Sequence, residues 1–272
     1  MNASDPLAVI AQFPGVPEAV DEARQAVDKL YRHRVLRRAS PAVSTESSLR
    51  GARASAAIEG VDVPLDALRR DEIHDPLVQG ALRVSAEIGR LGSTWRNAPR
   101  QVLARLHSVA AVGLVPDAAL GRPRSGDETV LGRPETEGEA AGPPNLGAAP
   151  SAKEAAARME GLFGLLEQPT KAPALVLAAV VHAELAVLRP FGVADGVVAR
   201  AAERLTLVEY GLDPKSLVAV EVGHLELPYA DGLRAYLSGT PEGVARWVQQ
   251  CASAVTLGVR EATAICEAMQ RG

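Results

Sequence analysis

The stretch from Ala174 to Tyr210, ALVLAAVVHAELAVLRPFGVADGVVARAAERLTLVEY, constrains the fold of this chain more than any other. Its first part, up to Leu188, is apolar on every side, interrupted only by His182 and Glu184. A helix of that kind has no face to offer water and must be surrounded by other helices. The run falls short of the roughly 20 residues that a membrane span requires. Arg189-Pro190-Phe191 closes it, a glycine-bearing turn from Gly192 to Gly196 follows, and a second helical pattern carries Arg200 and Arg204. In a helix, tight loop, helix arrangement the second helix presents free backbone N–H groups backed by the positive dipole end, a natural site for an anion.

The remaining pattern is also helical. Residues 18–39 are amphipathic, with a basic second half read as a solvated face. Ser40-Pro41 is expected to break that helix, and Ser44 to Ile58, rich in small residues, to form a second one stopped by Gly60. Those small residues predict close approach to another backbone. Glu59, in the last turn, reads from spacing alone as a solvent-exposed carboxylate before a glycine cap. Helices are further expected over Pro64–Arg70, Leu77–Leu91 and Pro99–Val112, the last capped by Asn97 and stopped by Gly113. His107 is read as a packing or capping histidine. Between 113 and 150, Gly and Pro make up about a third of the residues, and no helical period survives. Ser151 to Leu166 carries a capping box, Ser151 with Glu154. Asp213–Gly223, Tyr229–Ser238 and Glu242–Met269, with Trp247 and Val248 facing the core, complete a mainly α chain.

Composition excludes several classes. A chain of 272 residues, 47% hydrophobic, can bury a real core, and a net charge of −4 lacks the basic footprint of a nucleic-acid binder. Cys251 and Cys266 show neither a disulfide framework nor metal spacing and read as buried small hydrophobes. Met1 to Pro17 is polar and proline-bearing, unlike a secretion signal. The expectation is a cytoplasmic protein that engages neither nucleic acid nor membrane.

Ala183 to Arg200 resembles the active-site segment of Fic (Fido-fold) proteins, His-Pro-Phe-x-(Asp/Glu)-Gly-Asn-Gly-(Lys/Arg)-x-x-Arg. Pro190, Phe191, Gly196 and Arg200 match in register, as does the upstream His182. Four departures fall where the family does its chemistry. Arg189 stands at the catalytic histidine and Val193 at the acidic metal ligand. Asp195 replaces the asparagine, and Val197 replaces the first arginine. Ser55-Ala56-Ala57-Ile58-Glu59-Gly60 is similar to the family's inhibitory motif, (Ser/Thr)-x-x-x-Glu-(Gly/Asn), in the expected order. The resemblance implies that Glu59 pairs with Arg200 and obstructs placement of a nucleotide γ-phosphate, which makes Ser55, Glu59 and Gly60 regulatory. It implies a Fic/Fido-like helical bundle with a small β-hairpin flap that docks a protein partner. One arm would be Thr129-Val130-Leu131, preceded by Gly121-Arg122-Pro123-Arg124 and left through Pro143-Pro144; a disordered insertion is the competing reading. Residues 1–96 then form an N-terminal helical region with the inhibitory helix at about 44–60. Residues 97–272 form the core, with the flap at about 113–150 and the C-terminal helices. Fic proteins are often dimeric, so a homodimer belongs to the same expectation.

The family transfers AMP from a nucleotide to a protein hydroxyl, which requires a base, Mg²⁺ and oxyanion donors. Arg189 cannot act as base, since guanidinium stays protonated. Val193 offers no oxygen to Mg²⁺. Asp195 is read as the N-cap of the following helix, with a late metal ligand as the alternative. Gly196, Arg200, Asp195 and Arg189 remain as an anion site for ATP or another nucleotide, without Mg²⁺ or any other metal. His182 is read as a hydrogen-bonded core histidine. The expectation is therefore a degenerate, non-transferring relative, a pseudoenzyme acting in binding or regulation. The alternative is an active nucleotidyltransferase with rewired chemistry, using Asp195 or Glu184 as base or metal ligand.

Overall fold

The computed structural model describes residues 5–126 and 144–271. Its helices run in the order α1 (Pro6–Ile10), α2 (Val16–Tyr31), α3 (Leu36–Ile58), α4 (Leu65–Arg69), α5 (Pro76–Asn97) and α6 (Pro99–Ala110). After a short 3₁₀ turn (Asp117–Ala119) come α7 (Ala152–Glu167), α8 (Ala174–Leu188), α9 (Asp195–Glu209), α10 (Val220–Glu226), α11 (Tyr229–Leu237) and α12 (Pro241–Arg271). The all-apolar segment is the axis of the bundle: every residue of α8 from Leu175 to Leu188 except Glu184 is buried. Helices α9, α12, α7 and α11 enclose it, and α9 is in turn covered by α5, α6 and α3. Trp247, fully buried on α12, donates from Nε1 to the Ala179 carbonyl of α8 at 2.8 Å. Among the described residues no helix is long and apolar enough to cross a membrane.

Helix α3 packs as its small residues predict. Ser47, Gly51, Ala52, Ala54, Ser55, Ala56 and Ala57 are all buried, and the helix lies against α5, α10, α12 and α9. Its hydroxyls meet neighbouring backbone directly, Ser47 Oγ donating to the Leu217 carbonyl at 2.7 Å. A similarly close crossing joins α5 and α6, where a Cβ on Gly80 would lie 2.1 Å from the Ala110 carbonyl oxygen.

Several boundaries differ from the sequence reading. The helix expected over 18–39 ends at Tyr31, and a new one starts at Leu36. No Gly or Pro marks that break. Pro41 lies inside α3 instead of ending a helix. Ala39 (φ −118, ψ 16) kinks the chain two residues earlier, so Pro41 occupies a first-turn position where no N–H is required. Helix α5 continues past Leu91 because Trp95, fully buried, donates to Thr206 Oγ1 on α9 at 3.0 Å. Asn97 is therefore its last residue, bonded back to the Ser93 carbonyl, and does not cap α6. The capping box of Ser151 and Glu154 opens α7 as expected. Residues 213–219 are not helical: the buried Asp213 carboxylate accepts from Leu217 N (3.0 Å), Val218 N (2.8 Å) and Tyr31 Oη (2.6 Å), holding a loop before α10.

The described residues contain no β-strand, only an isolated bridge between Val112 and Val115. The described flanks of the 113–150 region are loop, so they carry no hairpin flap; Thr129-Val130-Leu131 and Pro143 lie outside the described residues.

Candidate functional site

The loop joining α8 to α9 is held in a strained conformation at both ends. Arg189 (φ 47, ψ 58) closes α8 and Ala194 (φ 57, ψ 15) precedes α9, both left-handed. For side chains with a Cβ that conformation costs roughly 1–2 kcal/mol each, and such strain persists only where surrounding contacts over-determine it. Arg124 supplies many of those contacts. Its backbone N–H donates to the Pro190 carbonyl (2.8 Å), its Nε to the Arg189 carbonyl (2.9 Å) and its Nη2 to the Leu188 (3.0 Å) and Pro150 (2.5 Å) carbonyls. A cation on the last carbonyls of α8 also complements the negative end of that helix. On the other side, His107 stacks on Phe191 with ring centroids 4.2 Å apart and accepts from Gly121 N–H at 2.9 Å. It is a packing histidine, and burial pushes its pKa down to about 4.

Two of the chain's own carboxylates occupy the loop and the start of α9. Asp195 is not the N-cap the sequence suggests; that position belongs to Ala194, and Asp195 is the first helical residue. Its carboxylate turns back into the loop, with Oδ1 accepting from the Phe191 N–H at 2.9 Å and the Gly192 N–H as a second donor. Burial raises its pKa to about 7; the two N–H donors and Arg124 oppose the rise, and the nearby Glu59 charge adds to it.

Glu59 supplies the second carboxylate, from the C-terminal end of α3. Its Oε1 accepts from Arg200 Nη2 at 2.8 Å, with Arg200 fully buried and the Glu59 side chain 13% exposed. It also lies against the first turn of α9, since a Cβ on Gly196 would be only 2.0 Å from Oε1. Arg200 is fixed from three more directions: Nε to Ser55 Oγ at 2.9 Å, Nη2 to the Ser55 carbonyl at 3.0 Å, and Nη1 to Tyr229 Oη at 3.4 Å. The Ser55, Glu59, Gly196 and Arg200 positions singled out in the sequence thus meet in one place. Gly60, with φ 92, follows Glu59 in the left-handed conformation glycine tolerates.

Other candidates fall differently. Arg189 is half-buried, donating from Nη2 to the Gly147 carbonyl at 2.9 Å while Nε has no hydrogen-bond partner. Burial lowers its pKa, with Asp195 acting against the shift. Val197, at the family's first-arginine position, is buried in the core. Val193 brings no oxygen, and Arg189 brings a positive charge where the family has a neutral or protonatable imidazole, so these residues do not fit Mg²⁺ at the family's position. Glu184, the alternative base or ligand, is engaged by other side chains. It accepts from Arg158 and from the Tyr236 hydroxyl, each at 2.6 Å.

Behind Arg200 lies a buried polar chain that sequence reading found only at His182. Tyr229 Oη and His182 Nε2 are 2.7 Å apart, and His182 Nδ1 and His224 Nε2 each lie 2.7 Å from the same Glu203 oxygen, Oε2. The carboxylate partner makes both nitrogens donors. Burial pushes the His182 pKa down to about 4. Burial alone would raise that of Glu203, but His224 and His182 together hold it at about 2. By residue type His182, Glu203 and His224 suit a transition metal. Their direct 2.7 Å contacts are instead those of a hydrogen-bonded set, in which His224 Nδ1 is left without a partner among the described residues.

No protein-family model matches the sequence, and no curated protein matches it. Solved structures do. A Fic family protein from Desulfovibrio desulfuricans G20 superimposes with a TM-score of 0.70 at 21% identity, over 91% of this chain and 74% of that one. A fragment of Fic-1 from C. elegans, residues 134–508, gives 0.62 at 16% identity, over 92% and 73%. A Fic domain containing signaling protein from Bacteroides thetaiotaomicron VPI-5482 gives 0.57 at 15% identity, over 90% and 98%. At such identities the likeness establishes architecture: this chain has the helical fold of Fic family proteins.

Proposed function

We propose that this Fic-fold chain binds an anion of the phosphate or nucleotide class at the start of α9 and does not transfer AMP. The observation that carries the reading is the Glu59–Arg200 pair seated against Gly196. A carboxylate of the chain itself sits where a phosphate would find a buried guanidinium and a helix N-terminus. Glu59 is then an internal competitor, and binding is regulated by its departure from Arg200. The same exchange would let a protein partner that engages α3 control the site. Transfer is disfavoured by chemistry: Arg189 cannot take a proton from a hydroxyl, and Val193 cannot hold a metal.

The test is a calorimetric titration of ATP into wild type, Glu59→Ala and Glu59→Ala/Arg200→Ala. The first variant should bind ATP at least tenfold more tightly than wild type, and the second should lose that gain. Unchanged affinity in Glu59→Ala contradicts the proposal.

One observation favours a second reading, a nucleotidyltransferase with rewired residues. The Asp195 carboxyl, at a pKa of about 7, has the poise of a general base. Incubation with labelled ATP and Mg²⁺ decides between the two: protein labelling abolished by both Asp195→Ala and Arg200→Ala supports transfer.

A further inference from the structure

Asp195 has no part yet in the anion site proposed at the start of α9. Its carboxylate already holds the Phe191 N–H group of the loop at 2.9 Å, with the Gly192 N–H also facing it. The next residue, Gly196, is the one against which Glu59 lies. Space opened by the departure of Glu59 would therefore lie at the first turn of α9, which Asp195 begins, and within range of its charge. The charges facing it come from every surrounding element: Glu59 from α3, Arg124 from the segment after α6, and Arg189 from the end of α8. Arg200 lies one turn further along α9, while His107, on α6 beneath Phe191, is neutral. Arg124 is committed to backbone carbonyls, and Arg200 is shared with Ser55 and Tyr229. An ionised Asp195 would thus meet an arriving phosphate as a like charge at low dielectric, with Arg189, bound to the Gly147 carbonyl alone, as the one facing cation among the described residues not already committed.

Building on the anion-site reading above, we propose that Asp195 is the resident anion of the loop, and that a phosphate enters the site only together with one proton, which the Asp195 carboxyl carries. The carboxyl does not have to leave. In its acid form the carbonyl oxygen still accepts from the loop N–H groups, while the O–H donates to a phosphate oxygen, turning repulsion into a hydrogen bond. The proton comes from solvent. Asparagine would give the same pattern permanently, accepting through its carbonyl and donating through its amide. Burial holds the Asp195 pKa at about 7, so the exchange falls in the neutral range, and binding weakens as pH rises through it.

The experiment is calorimetry with metal-free ATP, comparing Glu59→Ala with Glu59→Ala/Asp195→Asn between pH 6 and 8.5 in buffers of differing ionisation enthalpy. Titration of ATP itself is common to both proteins and cancels in the comparison. At pH 8 the single variant should take up close to one proton more per ATP than the double variant. Its affinity relative to the double variant should fall by up to tenfold for each pH unit above 7. ATP binding with the same proton uptake and pH profile in both overturns the proton-coupled exchange and leaves the anion site standing. No ATP binding by either variant overturns the site and the exchange with it. Glu59→Ser replaces the alanine variant throughout if that protein does not fold.

Discussion

Removing Glu59 should destabilise the fold well beyond what its position at a helix end suggests. Three terms set the size. The lost bond to Arg200 (2.8 Å) joins a fully buried guanidinium to a carboxylate 13% exposed, and breaking a buried pair on one side typically costs about 3–5 kcal/mol. Arg200 keeps its bonds to Ser55 and Tyr229, which places the cost at the lower end of that range. Against it, Glu59 sits at the negative end of the α3 dipole, and its removal returns about 0.3–1 kcal/mol. The net expectation for Glu59→Ala is a loss of about 2–3 kcal/mol, or roughly 5–10 °C in Tm for a chain of this size. The asymmetry of burial gives a sharper check. Glu59→Ala leaves a fully buried cation short of its carboxylate, whereas Arg200→Met leaves a partly exposed carboxylate that can turn outward. The double variant should therefore be no less stable than Glu59→Ala alone. Urea denaturation of the four proteins in the cycle measures this. A Glu59→Ala stability within about 0.5 kcal/mol of wild type, or a double variant as unstable as the sum of the two single losses, would refute the reasoning.

Three further outcomes follow from neighbouring groups. The Asp195 pKa rises from 3.8 to about 7 on folding; stability from this group is fully present below pH 3.8 and lost as pH rises through 7, by at most about 4 kcal/mol. Asp195→Asn should remove that slope, so its Tm advantage over wild type should grow between pH 5 and pH 8; parallel Tm–pH curves would contradict this. For His182, lowered from 6.5 to about 4, the sign is opposite. Stability should fall as pH drops below 6.5, by up to about 3 kcal/mol, and His182→Gln should flatten urea-derived stabilities between pH 7 and pH 5. In Gly196→Ala the new Cβ, 2.0 Å from Glu59 Oε1, should evict the carboxylate. The variant should be less stable than wild type despite the roughly 1 kcal/mol that alanine gains over glycine in a helix, a comparison that thermal melts decide.

The fold was readable wherever periodicity carried it. The apolar run from Ala174 to Leu188 could only be a central helix, and the small residues of α3 could only mean close packing. Both follow from side-chain size and polarity, properties each residue carries with it. Boundaries set by distant partners were not readable in this way. Trp95 extends α5 by bonding Thr206 on α9, and Asp213 holds a loop by bonding Tyr31 on α2. The site divides along the same line. Glu59 and Arg200 were marked by motif order, whereas Arg124, offered only as part of a flap-like Gly-x-x-Arg, proves to brace the loop between α8 and α9. Tyr229, Glu203 and His224 escaped notice because polar residues on three separate helices share no spacing. Asp195 was misread because an acid before a helical pattern suggests a cap, and nothing local shows its carboxylate turning back to Phe191.

The two resident carboxylates differ in how they can give way, and this bears on how the site works. Asp195 belongs to the strained loop, and its bonds to Phe191 and Gly192 help hold Arg189 and Ala194 in left-handed conformations. Removing it bodily would release the loop that forms the site. Glu59 stands at the end of α3, followed by Gly60 at φ 92, and makes one bond to Arg200 through a partly exposed side chain. Rotation about its side-chain torsions frees that oxygen without disturbing α3, whose Ser55 still holds Arg200. At the proposed anion site an incoming phosphate would therefore meet one carboxylate that can move and one that cannot. Movement answers the first; only a change of protonation answers the second, so the two carboxylates impose separate and experimentally separable conditions on the same ligand.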